Sequence, residues 1–261
     1  GHAWLLLKDK RGYDKAEQAF QEAIAISDQL QASRLKVEAY WGLCQAYGFS
    51  GLLEKALARG QKGIGLAEQA GDAWVAACIQ VTVGAAYCLA TEYEPSAVWL
   101  NQARATFREC NDHHGEAVSR LWQCLLWQET GDDFRLEHEL PQLMSLVQAQ
   151  GFEFLFTRRT LLGPEDRRRF LPLLLKARQD GATAAYATHL LQQMGFEGLE
   201  LHPGYQLRVQ TLGSFQLWRG QETVASKDWQ RKKARQLFIF LLTYHRALLH
   251  RQQIVETLWP D

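Results

Sequence analysis

Four cations fall within five positions near one end of this chain: Arg231, Lys232, Lys233 and Arg235. Cations at this density suit the oxygens of a polyanion. At the first turn of a helix they would add to backbone N–H groups and a dipole that already favour phosphate. The flanking sequence, Trp229-Gln230 before them and an apolar block at 237–242 after, places them at such a helix start. Charge alone fits a plain solvated face equally well.

Other groups invite chemistry and mostly decline it. Gly60-Gln61-Lys62-Gly63-Ile64-Gly65 has the wrong spacing for a phosphate loop and no strand before it, so glycines permitting close helix packing are the better account. His113-His114 and Glu137-His138-Glu139 are adjacent residues on helices; neighbours there diverge by about 100° and cannot converge on one ion. The expectation is solvent-facing or turn positions. Arg167-Arg168-Arg169 after Glu165-Asp166 reads as a solvated face with local ion pairs, an inter-domain or nucleic-acid contact being the alternative. No Ser/His/Asp or Cys/His set stands in a recognisable motif. No catalytic, metal or cofactor residue is therefore assigned, and the chain is not read as an enzyme.

Positions 1–194 carry apolar residues at helical spacing in segments of 16–20, broken by Gly, Asp, Asn and Pro. Turns at 10–13, 49–52, 91–94 and 130–133 alternate with turns at 70–72, 111–112 and 150–151. Ala16, Ala56 and Ala97 take the same place in three successive segments, at spacings of 40 and 41. A helix hairpin repeated every 39–41 residues predicts an α-solenoid. The pattern resembles tetratricopeptide repeats in a long-helix form, without their strict consensus. A fifth hairpin is expected over about 152–180 with Pro164 at a helix start, and a last helix over about 183–194. Pro141 should kink or split its helix. Residues 195–205, with Gly198, Pro203 and Gly204, read as a linker.

From 206 to 261 the pattern changes. Leu207, Val209 and Thr211 alternate with polar residues, as do Phe215 and Leu217, predicting two short strands about Gly213-Ser214 and a further turn at Arg219-Gly220. A basic-capped helix follows, then a second one ending in Trp259-Pro260-Asp261. The apolar residues 237–242 face all sides of their helix, so one flank should need cover. The expected fold is mainly α: a helical-repeat domain and a small α+β module.

Composition agrees with a folded protein: 47% hydrophobic and 22% charged over 261 residues, with zero net charge. Zero is a sum of opposites. Residues 205–261 carry nine Lys/Arg against four Asp/Glu, net +5, and the other 204 carry net −5. A polyanion partner is implied for the basic end only. Cys44, Cys78, Cys88, Cys110 and Cys124 lie inside helical, mostly apolar patterns with no CxxC spacing, and read as reduced, buried thiols of a cytoplasmic protein. No apolar run approaches membrane-spanning length and no signal peptide is visible. Of the aromatics, Trp4, Tyr40, Trp41, Trp74, Tyr87, Trp99, Trp122 and Trp127 fall mostly on core stripes, which favours packing between repeats; the alternative is that some line a concave groove and stack on a sugar or grip a peptide.

The end of the chain is the specific part. Leu212-Gly213-Ser214-Phe215, Lys233-Ala234-Arg235, the 237–242 block, Arg251 and Leu258-Trp259-Pro260-Asp261 occur in an order that resembles the start of the OmpR-type winged helix in the Streptomyces antibiotic regulatory protein family. Residues 158–163 and 189–195 resemble the end of the helical sensor region of STAND-class activators, in which an ATPase module precedes the repeats. The resemblance implies a fragment of a bacterial transcriptional activator, beginning inside a helix at Gly1-His2 and stopping before the recognition helix and wing. It implies phosphate contacts by Arg231, Lys232, Lys233 and Arg235, and weak or no sequence-specific DNA binding without those later elements. An unknown small-molecule or protein effector would act on the repeats, and self-association would be one way to cover exposed apolar surface. The alternative reading is a protein-interaction scaffold that does not bind DNA.

Overall fold

Once every twenty residues between Gln31 and Gly151 the backbone of the computed structural model enters the left-handed region. Gln31, Gly51, Gly71, Thr91, Asn111, Gly131 and Gly151 have φ between 51° and 80°. The residue after each donates its N–H five positions back: Leu52 to the Tyr47 carbonyl at 2.8 Å, Asp72 to Ala67 at 2.9 Å, Asp112 to Phe107 at 2.8 Å and Phe152 to Val147 at 2.9 Å. This closes a helix C-terminus. The chain then restarts at once, because Asp72, Asp112 and Asp132 accept the N–H groups of Val75, Gly115 and Arg135 at 3.0–3.1 Å.

The structure describes residues 1–32, 35–196, 199, 207–219, 222–229, 231–244 and 249–259. Contacts divide the chain into Gly1–Leu199 and Glu200–Asp261. Among the described residues it is mainly helical, with one small sheet. Among the described residues no helix is long and apolar enough to cross a membrane.

The first unit runs α1 (His2–Leu5), α2 (Lys10–Gln29), α3 (Leu35–Phe49), α4 (Leu53–Gln69), α5 (Ala73–Leu89), α6 (Tyr93–Glu109), α7 (His113–Thr130) and α8 (Asp133–Gln150). From α2 on, each helix packs on the next; α3 also packs on α5, and α5 on α7. These three form an inner row. Helices covered on several sides are apolar all round, and α5 buries 12 of its 17 residues. The other row buries one stripe each: Ala56, Gly60, Gly63 and Ala67 in α4; Ser96, Leu100, Ala103 and Phe107 in α6; Leu136, Leu140, Leu143 and Val147 in α8. These sets are related by steps of 40. Each large side chain so buried contributes roughly 1.5–3 kcal/mol.

That register corrects one expectation. The equivalent of Ala16 and Ala56 is Ser96, fully buried, while Ala97 is only half-buried. A serine can stand there because its hydroxyl donates to the Gly84 carbonyl at 2.8 Å. The mid-helix glycines are packing residues: a Cβ at Gly60 would come within 2.6 Å of Val83, and one at Gly63 within 2.9 Å of Ile79.

The structure bears on three further expectations. Of the kink or split expected at Pro141 the split is absent, since α8 runs through it, and Gln142 donates a side-chain N–H to the His138 carbonyl at 3.2 Å. No fifth long hairpin forms over 152–180. A short α9 (Phe154–Thr157) gives way to a non-helical segment, 158–166, then a 3-10 turn (Arg167–Phe170), α10 (Leu171–Gln179) and α11 (Ala184–Gln193). Pro164 lacks an N–H and disfavours helix at Gly163 before it, so it lies in the irregular stretch and not at a helix start. Lastly, Cys110 is exposed, because it caps α6 where the apolar stripe has ended; the other four cysteines are buried.

In the second unit β1 (Leu207–Gln210) pairs antiparallel with β2 (Gln216–Arg219), and β2 with a third strand the sequence did not suggest, β3 (Glu222–Thr223). Val209 faces Leu217 in register. After a 3-10 turn (Ser226–Asp228) come α12 (Lys232–Thr243) and α13 (Arg251–Leu258). The Phe215 ring meets Phe238 at 6.3 Å, and Trp229 meets Phe238 at 5.6 Å, which docks α12 beside the strands. Gly198, Pro203, Gly204, Gly220, Gln230, Pro260 and Asp261, on which the linker, one turn and the terminal motif depend, lie outside the described residues.

Candidate functional site

The basic cluster does stand at a helix start, with Arg231 as the N-cap residue of α12 and Lys232 opening it. The four cations do not share one fate. Arg231 and Lys232 are exposed beside N–H groups that open the helix. Lys233 donates to the Leu258 carbonyl at the end of α13 and lies 5.7 Å from the Trp259 ring centroid. Arg235 is half-buried with its guanidinium 4.9 Å over the Phe215 ring. The first pair is free to meet an external anion; the second ties helix, helix and strand together.

A second site was not legible in the sequence. It lies on the inner face of the helical unit, where residues 158–166 cross back toward the N-terminus. Lys8 donates from Nζ to the carbonyls of Leu161 at 2.9 Å and Gly163 at 3.0 Å. Trp122 donates from Nε1 to the carbonyl between them, Leu162, at 2.7 Å. Arg159 reciprocates by donating to the Leu7 carbonyl at 2.9 Å. Three consecutive carbonyls that no helix satisfies are thus met by side chains from distant parts of the chain. Lys8 is only 2% exposed and sits 3.9 Å over the Phe49 ring. Burial drives its ammonium down to about 7, with Glu165 opposing the shift and Arg159 adding to it.

Beside this strap is a pocket of about 290 Å³ between α3, α5, α7 and residues 160–162. Trp41, Trp74, Phe107 and Phe154 supply its aromatic walls. Both indole N–H groups are already used: Trp41 donates to Thr82 Oγ1 at 2.9 Å and Trp74 to Asp112 Oδ2 at 2.7 Å. Asp112 Oδ1 accepts the N–H groups of His114 and Gly115, each at 3.0 Å. The His114 ring stacks on Phe154 (5.8 Å, 19°) and meets Phe152 edge-on at 5.6 Å. Burial lowers its pKa below the ordinary histidine value, against the pull of Asp112. His114 is therefore not the solvent-facing residue its position suggested.

Glu139 departs from expectation in the same way. It lies in a low-exposure ion-pair network, 3.1 Å from Arg104 and paired with Arg120, which also holds Glu116 at 3.0 Å. Glu137 and His138 are exposed as expected. Arg168 pairs locally with Asp166 at 2.8 Å, and Arg169 reaches Glu129 on α7 at 3.2 Å. Burial pushes the thiols of Cys44 and Cys88 up to about 12 and those of Cys78 and Cys124 up as well, so none of these four is a thiolate nucleophile near neutral pH. Among the described residues no group of three His, Cys, Asp or Glu side chains is placed to hold a metal ion. In comparisons of the sequence, no protein-family model and no curated protein matches the chain.

Proposed function

We propose that this chain acts in bacterial transcriptional regulation. Residues 1–194 would be an α-solenoid of tetratricopeptide-like hairpins that takes an effector or partner protein, and residues 206–261 would belong to an OmpR-type winged-helix DNA-binding domain of the kind found in Streptomyces antibiotic regulatory proteins and STAND-class activators. The observation that carries this reading is the exposed Arg231–Lys232 pair at the N-terminus of α12, in a segment of net charge +5. Strand pairing followed by two helices supports the DNA-binding half, and the 40-residue register of buried stripes supports the repeat half. Arg231 and Lys232 contact phosphate in this reading, while Lys233 and Arg235 hold the helix that presents them. An effector preferring one arrangement of the repeats would shift the population competent for DNA. The chain is cytoplasmic in this reading and is not an enzyme.

The test is fluorescence anisotropy on random-sequence duplex DNA across a salt series. Binding should weaken linearly in log–log form, with a slope of about −0.9 per phosphate contact. The double variant Arg231→Ala/Lys232→Ala should make that slope shallower by about two contacts' worth. Binding that ignores salt overturns the reading in favour of an interaction scaffold, as does absence of binding at low salt by both this chain and one extended through the recognition helix and wing. The scaffold alternative draws on the apolar surface of the same helices, where Leu241, Tyr244, Val255 and Trp259 are 42–46% exposed.

A further inference from the structure

We propose that the pocket beside residues 160–162 binds a small, largely apolar ring compound, of one or two rings with a single hydrogen-bonding group that pairs with His114. That such a ligand serves as an effector rests on the regulatory reading above; that it binds does not.

Size argues first. The core around it is otherwise well covered, with Phe107 of α6, Val118 of α7 and Leu155 of α9 at the pocket wall all at most 2% exposed. Against that background a recess of about 290 Å³ opens to solvent beside Trp74, itself 43% exposed, a volume many times the ~30 Å³ share of a water molecule. Wall chemistry argues second. The flat faces of Trp41, Trp74, Phe107 and Phe154, with Leu161 and Leu162, offer stacking and apolar contact. Both indole N–H groups are engaged within the protein, so the polar side chains left at the wall are Asp112, His114 and Thr160.

The polar complement narrows the ligand further. Asp112 is the one acidic group at the pocket, and it already accepts three hydrogen bonds, two from backbone N–H groups and one from Trp74. A cationic ligand is therefore not called for. His114 differs: among the described residues no hydrogen bond engages its imidazole, and its ring is fixed by Phe152 and Phe154. A neutral imidazole offers one donor and one acceptor, which suits a lone hydroxyl, carbonyl or ring N–H. One wall also differs from the rest. Residues 160–162 are non-helical and held through their carbonyls by Lys8 and Trp122, leaving the Leu161 and Leu162 side chains to meet the ligand.

The test uses the whole chain and two probes followed by ¹⁹F NMR, 5-fluoroindole with a ring N–H and fluorobenzene with no polar group. Saturable binding of both at one site is expected. His114→Phe should weaken 5-fluoroindole about tenfold, the worth of one buried hydrogen bond, and leave fluorobenzene unchanged. Val118→Phe, which fills the pocket from α7, should abolish both; Leu162→Trp fills it from the strap should the first variant fail to fold. Absence of saturable binding to the wild-type chain overturns the proposal, as does binding that survives a folded filling variant. Equal weakening of both probes by His114→Phe overturns the assigned role of His114. The outcomes separate from those of the regulatory reading: lost probe binding with salt-dependent DNA binding intact strikes the pocket alone, and the reverse leaves the pocket standing.

Discussion

Helices α5 and α12 are both rich in apolar residues, yet α5 buries 12 of 17 residues and α12 buries none. Neighbours explain the difference. α5 packs against α3, α4, α6 and α7, whereas α12 meets α13 and the strands through a few rings, with Phe238 against Phe215 and Trp229. Apolar composition thus says that a helix wants cover. It does not say how much cover it has.

The contrast can be broken by deletion. Trp122→Ala removes a fully buried indole and the donor to the Leu162 carbonyl, and should cost about 3–5 kcal/mol in denaturant unfolding. Ile239→Ala, on half-buried α12, should cost under about 1.5 kcal/mol. Comparable losses would mean that α12 is as well covered as α7, which with α3 and α5 forms the inner row. Next in size, Glu139→Ala leaves Arg104 and Arg120 facing each other at low exposure and should cost roughly 3 kcal/mol; a neutral result would show the network to be water-filled.

Lys8 sharpens the comparison through pH. Its folded pKa of about 7 lies below the ordinary 10.5, so between those values the unfolded chain binds more protons and stability should rise with pH. The buried amine keeps two N–H groups for two carbonyls when neutral. Unfolding free energy measured from pH 7 to 10 should climb in the wild-type chain relative to Lys8→Met, and parallel curves would refute the burial argument. The smallest effect concerns the turns. Thr91 is a β-branched residue at φ 64°, exposed, in a series otherwise rich in glycine. Thr91→Gly should stabilise by about 0.5–1 kcal/mol, read as a shift in the denaturation midpoint.

What could be read from the chain was what neighbouring residues determine. Gly51, Gly71, Gly131 and Gly151 mark helix ends, Asp72, Asp112 and Asp132 mark starts, and apolar spacing supplies the stripe between, so helices and turns were legible with small errors of register. The error at Ala97 is instructive: the sequence offered an alanine, but Ser96 takes the buried place because Gly84, twelve residues away, accepts its hydroxyl. The strands at 207–210 and 216–219 were legible by alternation, while the two-residue β3 carries too short a pattern to read.

The pocket was hidden for the same physical reason at longer range. Lys8 meets its carbonyls across 153 and 155 positions, Trp122 across 40, and Trp74 meets Asp112 across 38. The sequence by itself determined where helices begin and end and which faces are apolar, because caps, turns and periodicity act within a few residues. Only the tertiary structure decided that a would-be fifth hairpin becomes a strap, that His114 and Glu139 turn inward, and that two of four clustered cations also contact groups of their own module. Those outcomes depend on which desolvated groups find partners, and the partners come from elsewhere in the chain.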